Sequence, residues 1–421
     1  MTVEAIREAA LSSRARLLRA LFLLGALVSL SYAVFSAPKL GIDLRFFQQG
    51  AREWVDGIFH IGDGPIGEYP PFALPMFAPI AFVPFDKLLY LWLGVKVAAT
   101  ATCLYLAIKL WGSQWTLRTR VYLSAFLLTW SPFRVSLRNG QISLLIVALL
   151  LGSMLARKKG RQVLAGILLG LSLCKYSLTF PFLLYFVWRR EWKLVGMSVV
   201  IPLLLTEVFA VRLGMSLFEA LRQYTGVITG IYLSGVSPDM GTSEIKVLFF
   251  DLSGNGSFAS ILTLLLSLAA LFCMGLLFSR KPRWEIAHFS ALALFSLWSC
   301  YHRTYDAVIC LLPAALLVDM IVRKKFVGFG LFWLSGLGLL ILSIPGVLID
   351  RLKMSAISSS DNLVLMLGAH IERLLIFGMF WSLLYLLWQD SRRGEASEMQ
   401  PADSIPLPVP ALTTVHESPL H

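Results

Sequence analysis

The chain has 421 residues, 57% of them apolar and 15% charged, where a soluble domain carries about a quarter charged. Together with a mean hydropathy of +0.73, this excludes a soluble enzyme; the apolar content, enough for about ten to twelve spans of ~20 residues, also excludes a single-pass receptor. The 37 Lys and Arg against 25 Asp and Glu leave a net charge of +12, an excess that in a polytopic protein belongs to membrane insertion rather than to nucleic acid.

The N-terminal segment has the charge order of a signal peptide. Its apolar run over 17–35 is as long as a span and lacks a small-x-small cleavage site, so it reads as the first helix. A polar connection over 36–68 follows, in which Phe46, Phe47, Ala51, Trp54 and Val55 stand at roughly helical spacing and predict an amphipathic helix lying in the membrane interface. The run over 69–85 contains five prolines, which remove backbone donors, and is predicted to be re-entrant or surface-lying. Helices are then predicted over 88–110, 121–137, 142–156, 194–211, 258–278, 286–300, 305–322, 326–349 and 363–388. The run over 163–188 carries Lys175 near its centre and a positive cluster at each end. It is predicted to leave on the side it entered, as a hairpin with Lys175 at its tip.

Clusters at Arg14, Arg16 and Arg19, at Arg118 and Arg120, and at 157–161, 189–193, 280–283, 323–325 and 392–393 all fall on one side with this topology. That side is expected to be cytoplasmic and to hold both termini, leaving the long connections 36–68 and 213–257 outside. The expected organisation is one transmembrane domain over 1–390 and a disordered cytoplasmic tail over 391–421. Cys103, Cys174, Cys273, Cys300 and Cys310 are odd in number and lack C-x-x-C spacing, and read as small hydrophobes without a disulfide framework.

Several polar residues gather in the outward-facing segments. Asp43 either caps the interfacial helix or acts as a general base on a hydroxyl substrate, since a partly apolar setting raises carboxylate basicity. Lys175 either anchors an anionic headgroup such as a phosphate, or snorkels or pairs with a carboxylate such as Glu207. In YHRTYD, over 301–306, His302, Arg303, Tyr305 and Asp306 combine an imidazole, a guanidinium suited to phosphate and a carboxylate that can orient either. Arg134, Arg138, Asn139 and Gln141 face the same side and read as a solvated turn or as further phosphate ligands. No phosphate loop, H-E-x-x-H pair or dinucleotide fingerprint is present, so no metal site and no cofactor are expected.

The order of these features resembles the integral-membrane glycosyltransferases of the GT-C type, specifically glycosyltransferase family 87. The resemblance rests on Asp43 after the first helix in a loop continuing through Gly57 to Tyr69-Pro70-Pro71, and on NGQISLLIVALLL over 139–151. It continues with AGILLGLSLCK over 165–175, Arg189-Arg190-Glu191-Trp192 and a late span carrying His302. The chain departs from the family pattern where Lys175 is followed by Tyr-Ser-Leu rather than an early proline, and where YHRTYD replaces a Ser-Pro-x-Ser-Trp-like stretch.

The resemblance implies a GT-C-like, all-α polytopic bundle that moves a sugar, typically mannose, from a polyprenyl-phosphate donor to a lipid or glycan acceptor outside the cytoplasmic membrane. On the family pattern Asp43 is the catalytic base of an inverting transfer, with Lys175 and His302 near the donor phosphate or sugar. Arg303, Arg138 or Arg134 would share the phosphate charge, with Tyr69, Tyr305 and Asp306 beside them. Membrane lipids are the surrounding partner. The rival class is a transporter or lipid-linked-sugar flippase, which should show repeated halves and midplane charges. Only Lys175 and Lys96 lie at depth, and no halves repeat.

Overall fold

The computed structural model describes residues 3–62, 66, 67, 69–233, 243–279, 284–341 and 370–398, and every regular element among them is helical. The chain starts with α1 (Val3–Leu40), followed by α2 (Ile42–Asp56), α3 (Ala73–Ala81), α4 (Phe85–Trp111), α5 (Leu117–Leu128), α6 (Ser131–Asn139) and α7 (Ser143–Lys158). Next come α8 (Gln162–Ser172), α9 (Tyr176–Trp188), α10 (Trp192–Arg212), α11 (Leu217–Leu233), α12 (Lys246–Ser253) and α13 (Gly256–Phe278). The described chain ends with α14 (Glu285–Ser299), α15 (Leu311–Val322), α16 (Val327–Ile341) and α17 (Ile371–Glu398). All five cysteines are free thiols.

Among the described residues seven helical stretches are long and apolar enough to cross a membrane, and an eighth arises if α6 and α7 are taken as one broken span. This is a multi-pass membrane protein with fewer uninterrupted crossings than the apolar runs suggest. The helix expected over 121–137 is two helices. Pro132 in the first turn of α6 lacks a donor and would clash with a continuing turn, so Trp130 turns extended, with ψ 132°, and the chain restarts. The runs over 326–349 and 363–388 extend in part beyond the described residues. The last helix continues to Glu398, past the expected boundary at 390, and residues 399–421 lie outside the described set.

The hairpin over 163–188 is present. Counted by length and composition, Gln162–Trp188 passes as one of the seven spans, but a straight helix of 27 residues would separate its ends by about 40 Å. Instead Gln162 Nε2 lies 3.5 Å from Glu191 Oε2, just past the other end. A 3-10 turn at Leu173–Lys175 reverses the chain, and Lys175 sits at the tip. The return allows α10 to run beside α8 in the same direction. A Cβ on Gly166 or Gly170 would lie 2.5 Å or 3.0 Å from backbone oxygens of Leu194 and Ser198, so glycines set the close approach.

The proline-rich segment also behaves as expected: α3 has nine residues, about 14 Å, and lies under α2 rather than crossing. Pro84 cannot donate to the carbonyl of Ile80, which accepts instead from Val83 N at 3.3 Å and from the buried Gln48 amide of α2 at 3.0 Å; the same amide lies 2.5 Å from Val83 O. Arg52 Nε, also on α2, donates to Ala81 O at 2.9 Å. The amphipathic helix is thereby fixed to the segment beneath it.

The described basic clusters meet at one end of the bundle. Arg157 pairs with Glu191 at 2.7 Å and with Glu285 at 2.5 Å, Lys158 donates to Leu110 O at 3.2 Å, and Asp319 accepts from Trp115, Trp284 and Arg323. These contacts join the C-terminal end of α7, the starts of α10 and α14, and the ends of α4 and α15. Helix α1 runs alongside α5 and α6, with Phe22 near Tyr122 and Tyr32 near Arg138, so it too begins there. Phe377 packs on Trp298 and Phe380 on Phe295, so α17 runs antiparallel to α14 and brings Arg392 to the same end. Arg280, Lys281 and Arg283 lie outside the described residues. The opposite end holds α2, the hairpin tip and the YHRTYD segment.

Candidate active site

The site is built on a contact between two backbones. Gly41 precedes α2 with φ +45°, and its N–H donates to Arg138 O at 3.2 Å. Gly140 follows α6 with φ +83°, and a Cβ there would lie 2.7 Å from Leu44 Cβ and 2.9 Å from Leu44 N. Only glycine allows the first turn of α2 to rest on the junction where α6 and α7 meet at a bend of 114°. Gly140→Ala is therefore expected to destabilise the protein by more than the ~1 kcal/mol of a left-handed alanine, because it also pushes α2 off the turn. Thermal melting would check this, and an unchanged Tm would contradict it.

The junction turns Gln141 toward Asp43, whose carboxylate accepts a hydrogen bond from it. Asp43 is not the cap of α2, since Gly41 holds that position. The other carboxylate oxygen, Oδ2, is buried and makes no hydrogen bond among the described residues. Burial raises the Asp43 pKa above the ordinary carboxylate value, and the Gln141 hydrogen bond and the charges of Lys175, Arg303 and Lys96 oppose this only in part. The result is a half-buried carboxylate more basic than usual with one face unengaged. Burial also pushes the Tyr69 hydroxyl well above its ordinary pKa, so it is a neutral donor.

Lys175 pairs with Asp306 rather than with Glu207, which is exposed. Its Nζ lies 2.5 Å from Asp306 Oδ1 and 3.1 Å from Ser143 Oγ, and sits over the Tyr305 ring at 4.9 Å. Asp306 also accepts from Ser143 Oγ at 2.5 Å, and its second oxygen lies 3.1 Å from His302 Nδ1. Snorkelling is therefore not what occupies Lys175; its ammonium is held at the hairpin tip by a fully engaged buried carboxylate. Arg303 is exposed, and its Nε donates to the Tyr301 hydroxyl at 2.9 Å.

These groups surround a cavity of about 460 Å³, within the range of small-molecule sites. Asp43, Gln141, Lys175, Arg303 and Asp306 line its polar side, and Phe46, Phe47, Tyr69, Tyr176, Tyr301 and Tyr305 its aromatic side. Seven of the eleven residues singled out in the sequence thus converge: Asp43, Tyr69, Gln141, Lys175, Arg303, Tyr305 and Asp306. His302 does not line the cavity; it is fully buried behind Asp306, where it orients that carboxylate. Arg134 and Arg138 do not line it either. Spaced four apart, they share a face of α6, and the Arg138 guanidinium lies 5.5 Å over Tyr32 of α1, away from the cavity into which the sharp bend turns Gln141. Ser143, Tyr176 and Tyr301 were not singled out. Ser143 stands two residues after Gln141 and could have been found only by knowing that the helix restarts there.

A polar pocket with a basic carboxylate, two cations and aromatic walls is suited to a hydroxylated ring bearing an anionic group. The profile of Glycosyltransferase family 87 matches residues 68–300, more than half of the chain. The chain belongs to glycosyltransferase family 87. Within the matched stretch lie Tyr69, Gln141, Ser143 and Lys175; Asp43, Arg303 and Asp306 come from outside it and are brought to the same cavity by the fold.

Two similar proteins carry the same description. A polyprenol-phosphate-mannose-dependent alpha-(1-2)-phosphatidylinositol mannoside mannosyltransferase of Mycolicibacterium smegmatis is 30% identical over 178 residues, covering 36% of this chain and 39% of that protein. The protein of the same description from Mycobacterium tuberculosis is 28% identical over 194 residues, 39% of this chain and 44% of that one. The matches span less than half the length of either relative. No solved structure matches the chain.

Proposed function

We propose that this family 87 protein transfers a sugar, mannose in the first instance, from a polyprenyl-phosphate donor to a hydroxyl of a lipid or glycan acceptor. The observation that carries the reading is the convergence of Asp43 with Lys175, Arg303 and an aromatic wall around one cavity. Asp43 takes the acceptor proton while the freed oxygen attacks the anomeric carbon. The bond from that carbon to the phosphate oxygen breaks, its electron pair leaves with polyprenyl phosphate, and the anomeric configuration inverts. Positive charge in place before the reaction stabilises the departing phosphate. Arg303 and Lys175, both in the cavity lining, supply it, the Lys175 ammonium being held in place by Asp306. His302 acts through Asp306 rather than on the substrate.

The gathering of basic clusters at the far end supports a cavity on the outer side of the cytoplasmic membrane, with both termini inside. A donor anchored in that leaflet is already close to the site, so no nucleotide-binding domain is needed. The reading takes residues 1–390 as the transferase domain. Incubating the purified full-length chain in lipid with labelled polyprenyl-phosphate sugars and a lipid extract should move label to an acceptor, with mannose preferred. Label crossing the bilayer without a new glycosidic bond would replace this reading with a flippase.

A further inference from the structure

Lys96 is 2% exposed and lies midway along the membrane-embedded α4. A buried ammonium at that depth is costly. It neither snorkels nor pairs with a carboxylate among the described residues. Its Nζ donates to two carbonyls at the end of α6, those of Ser136 and of Leu137, the latter at 2.5 Å. Trp92, four residues earlier and so on the same face of α4, donates its indole N–H to Gly140 O at 2.8 Å. Two donors of one helix therefore hold three acceptors, at residues 136, 137 and 140, across the last turn of α6 and its exit. The Ser136 and Leu137 carbonyls belong to the last turn of α6, where carbonyls lack partners within the helix and form the negative end of its dipole.

The held segment leads directly to the site. The turn that Trp92 grips aims Gln141 at Asp43, and Arg138, in the turn that Lys96 grips, accepts from Gly41 at the start of α2. We infer that Lys96 and Trp92 are positioning residues for the pocket: they lock the bend between α6 and α7 that presents Gln141 to Asp43, and Lys96 places its ammonium behind the carboxylate.

The inference rests on the transferase reading for its kinetic consequences but not for its structural one. The charged and titratable groups facing Asp43 are Lys175 on the hairpin tip, Arg303, Tyr305 and Asp306 after α14, Tyr69 before α3, and Lys96 from α4. The charge of Lys96 reaches Asp43 from α4, outside the pocket lining, so substituting it replaces no side chain of the pocket wall.

The test uses Lys96→Met, Lys96→Arg and Trp92→Phe in the full chain in lipid nanodiscs, with labelled polyprenyl-phosphate mannose. Lys96→Met should lower kcat at least about tenfold, the scale expected for a small misplacement of reacting groups. Donor KM should stay near the wild-type value. Losing a positive charge disfavours ionised Asp43, so the acidic limb of kcat should move to higher pH. Lys96→Arg should keep that limb in place, and Trp92→Phe, which removes a neutral donor and loosens Gln141 but takes no charge away, should lower kcat and move the limb less than Lys96→Met does. Hydrogen exchange at the amides of 139–143 reads the clamp without turnover: it should accelerate in Lys96→Met and Trp92→Phe but not in α13. An unmoved limb and unchanged exchange in Lys96→Met would overturn the inference. Should that variant fail to insert, Lys96→Gln gives the same two readings and is decisive in the same way. A wild-type protein that transfers no sugar while exchange responds as expected would overturn the transferase reading alone.

Discussion

Asp43→Asn is expected to reduce sugar transfer about a thousandfold, the middle of the range for a lost general base, without lowering the melting temperature. The substitution keeps the shape of the side chain and an oxygen for Gln141, so the pocket has no reason to collapse. What disappears is the site that takes the acceptor proton. The sign of the stability effect follows from burial. The folded pKa of Asp43 is raised because its charged form is poorly solvated, so ionisation costs stability at pH values above that pKa. The cost fades as pH falls through the folded pKa and is absent below the unfolded one. A neutral amide never incurs it, and the variant should melt at or above the wild-type temperature near neutral pH. The same raised pKa places the acidic limb of wild-type turnover above the ordinary aspartate range. The decisive measurement pairs single-turnover transfer with thermal melting on one preparation; a variant that keeps more than a tenth of wild-type transfer removes Asp43 from the mechanism.

This pairing of lost activity with undiminished stability separates a catalytic carboxylate from a capping one. A cap satisfies orphan amides, and its removal typically costs ~1 kcal/mol. Gly41 already occupies the cap position, and the Oδ2 atom of Asp43 is buried without a hydrogen bond among the described residues. An unsatisfied carboxylate oxygen beside a cavity stabilises nothing in the resting protein. It is understandable as a group awaiting a donor, and an acceptor hydroxyl provides one.

Much of this arrangement was legible in the sequence because the signals are local. The amphipathic spacing of Phe47, Ala51 and Trp54 is a property of a single helix, and all three are buried where α2 rests on its neighbours. Positive clusters on both sides of Lys175 forced the hairpin, since a crossing would have placed one of them on the wrong side. The unread parts depend on contacts between distant segments. Nothing near Lys175 names Asp306 as its counter-ion, 131 residues on, and Glu207 looked equally suitable. Arg138 and Gln141 are three residues apart, and in a plain turn would share a face; the 114° bend sends one toward α1 and the other into the cavity. Lys96 was visible as a charge at depth, but its carbonyl partners depend on α6 ending where it does.

Lys175→Met and Asp306→Asn should each lower stability by about 3–5 kcal/mol, because each leaves a buried charge without its partner, while the double variant should recover most of that loss. The pair is 9% and 4% exposed and separated by 2.5 Å, so solvent offers either charge little relief. In a protein of this size the single variants should melt roughly 3–6 °C below wild type. Recovery in the double variant follows because Met and Asn leave no isolated charge, although Asn keeps an oxygen for Ser143 and His302. Transfer should follow a different order. If the only task of Lys175 were to neutralise Asp306, activity would recover with stability. If its ammonium also faces the donor phosphate, as its place in the cavity lining supports, Lys175→Met and the double variant should both lose transfer, while Asp306→Asn should retain more of it at a permissive temperature. Melting curves and donor KM across the four proteins decide the matter. A double variant restored in both stability and transfer would make the pair purely structural, leaving Arg303 to carry the phosphate. A donor KM raised only where Lys175 is absent would place the ammonium on the substrate.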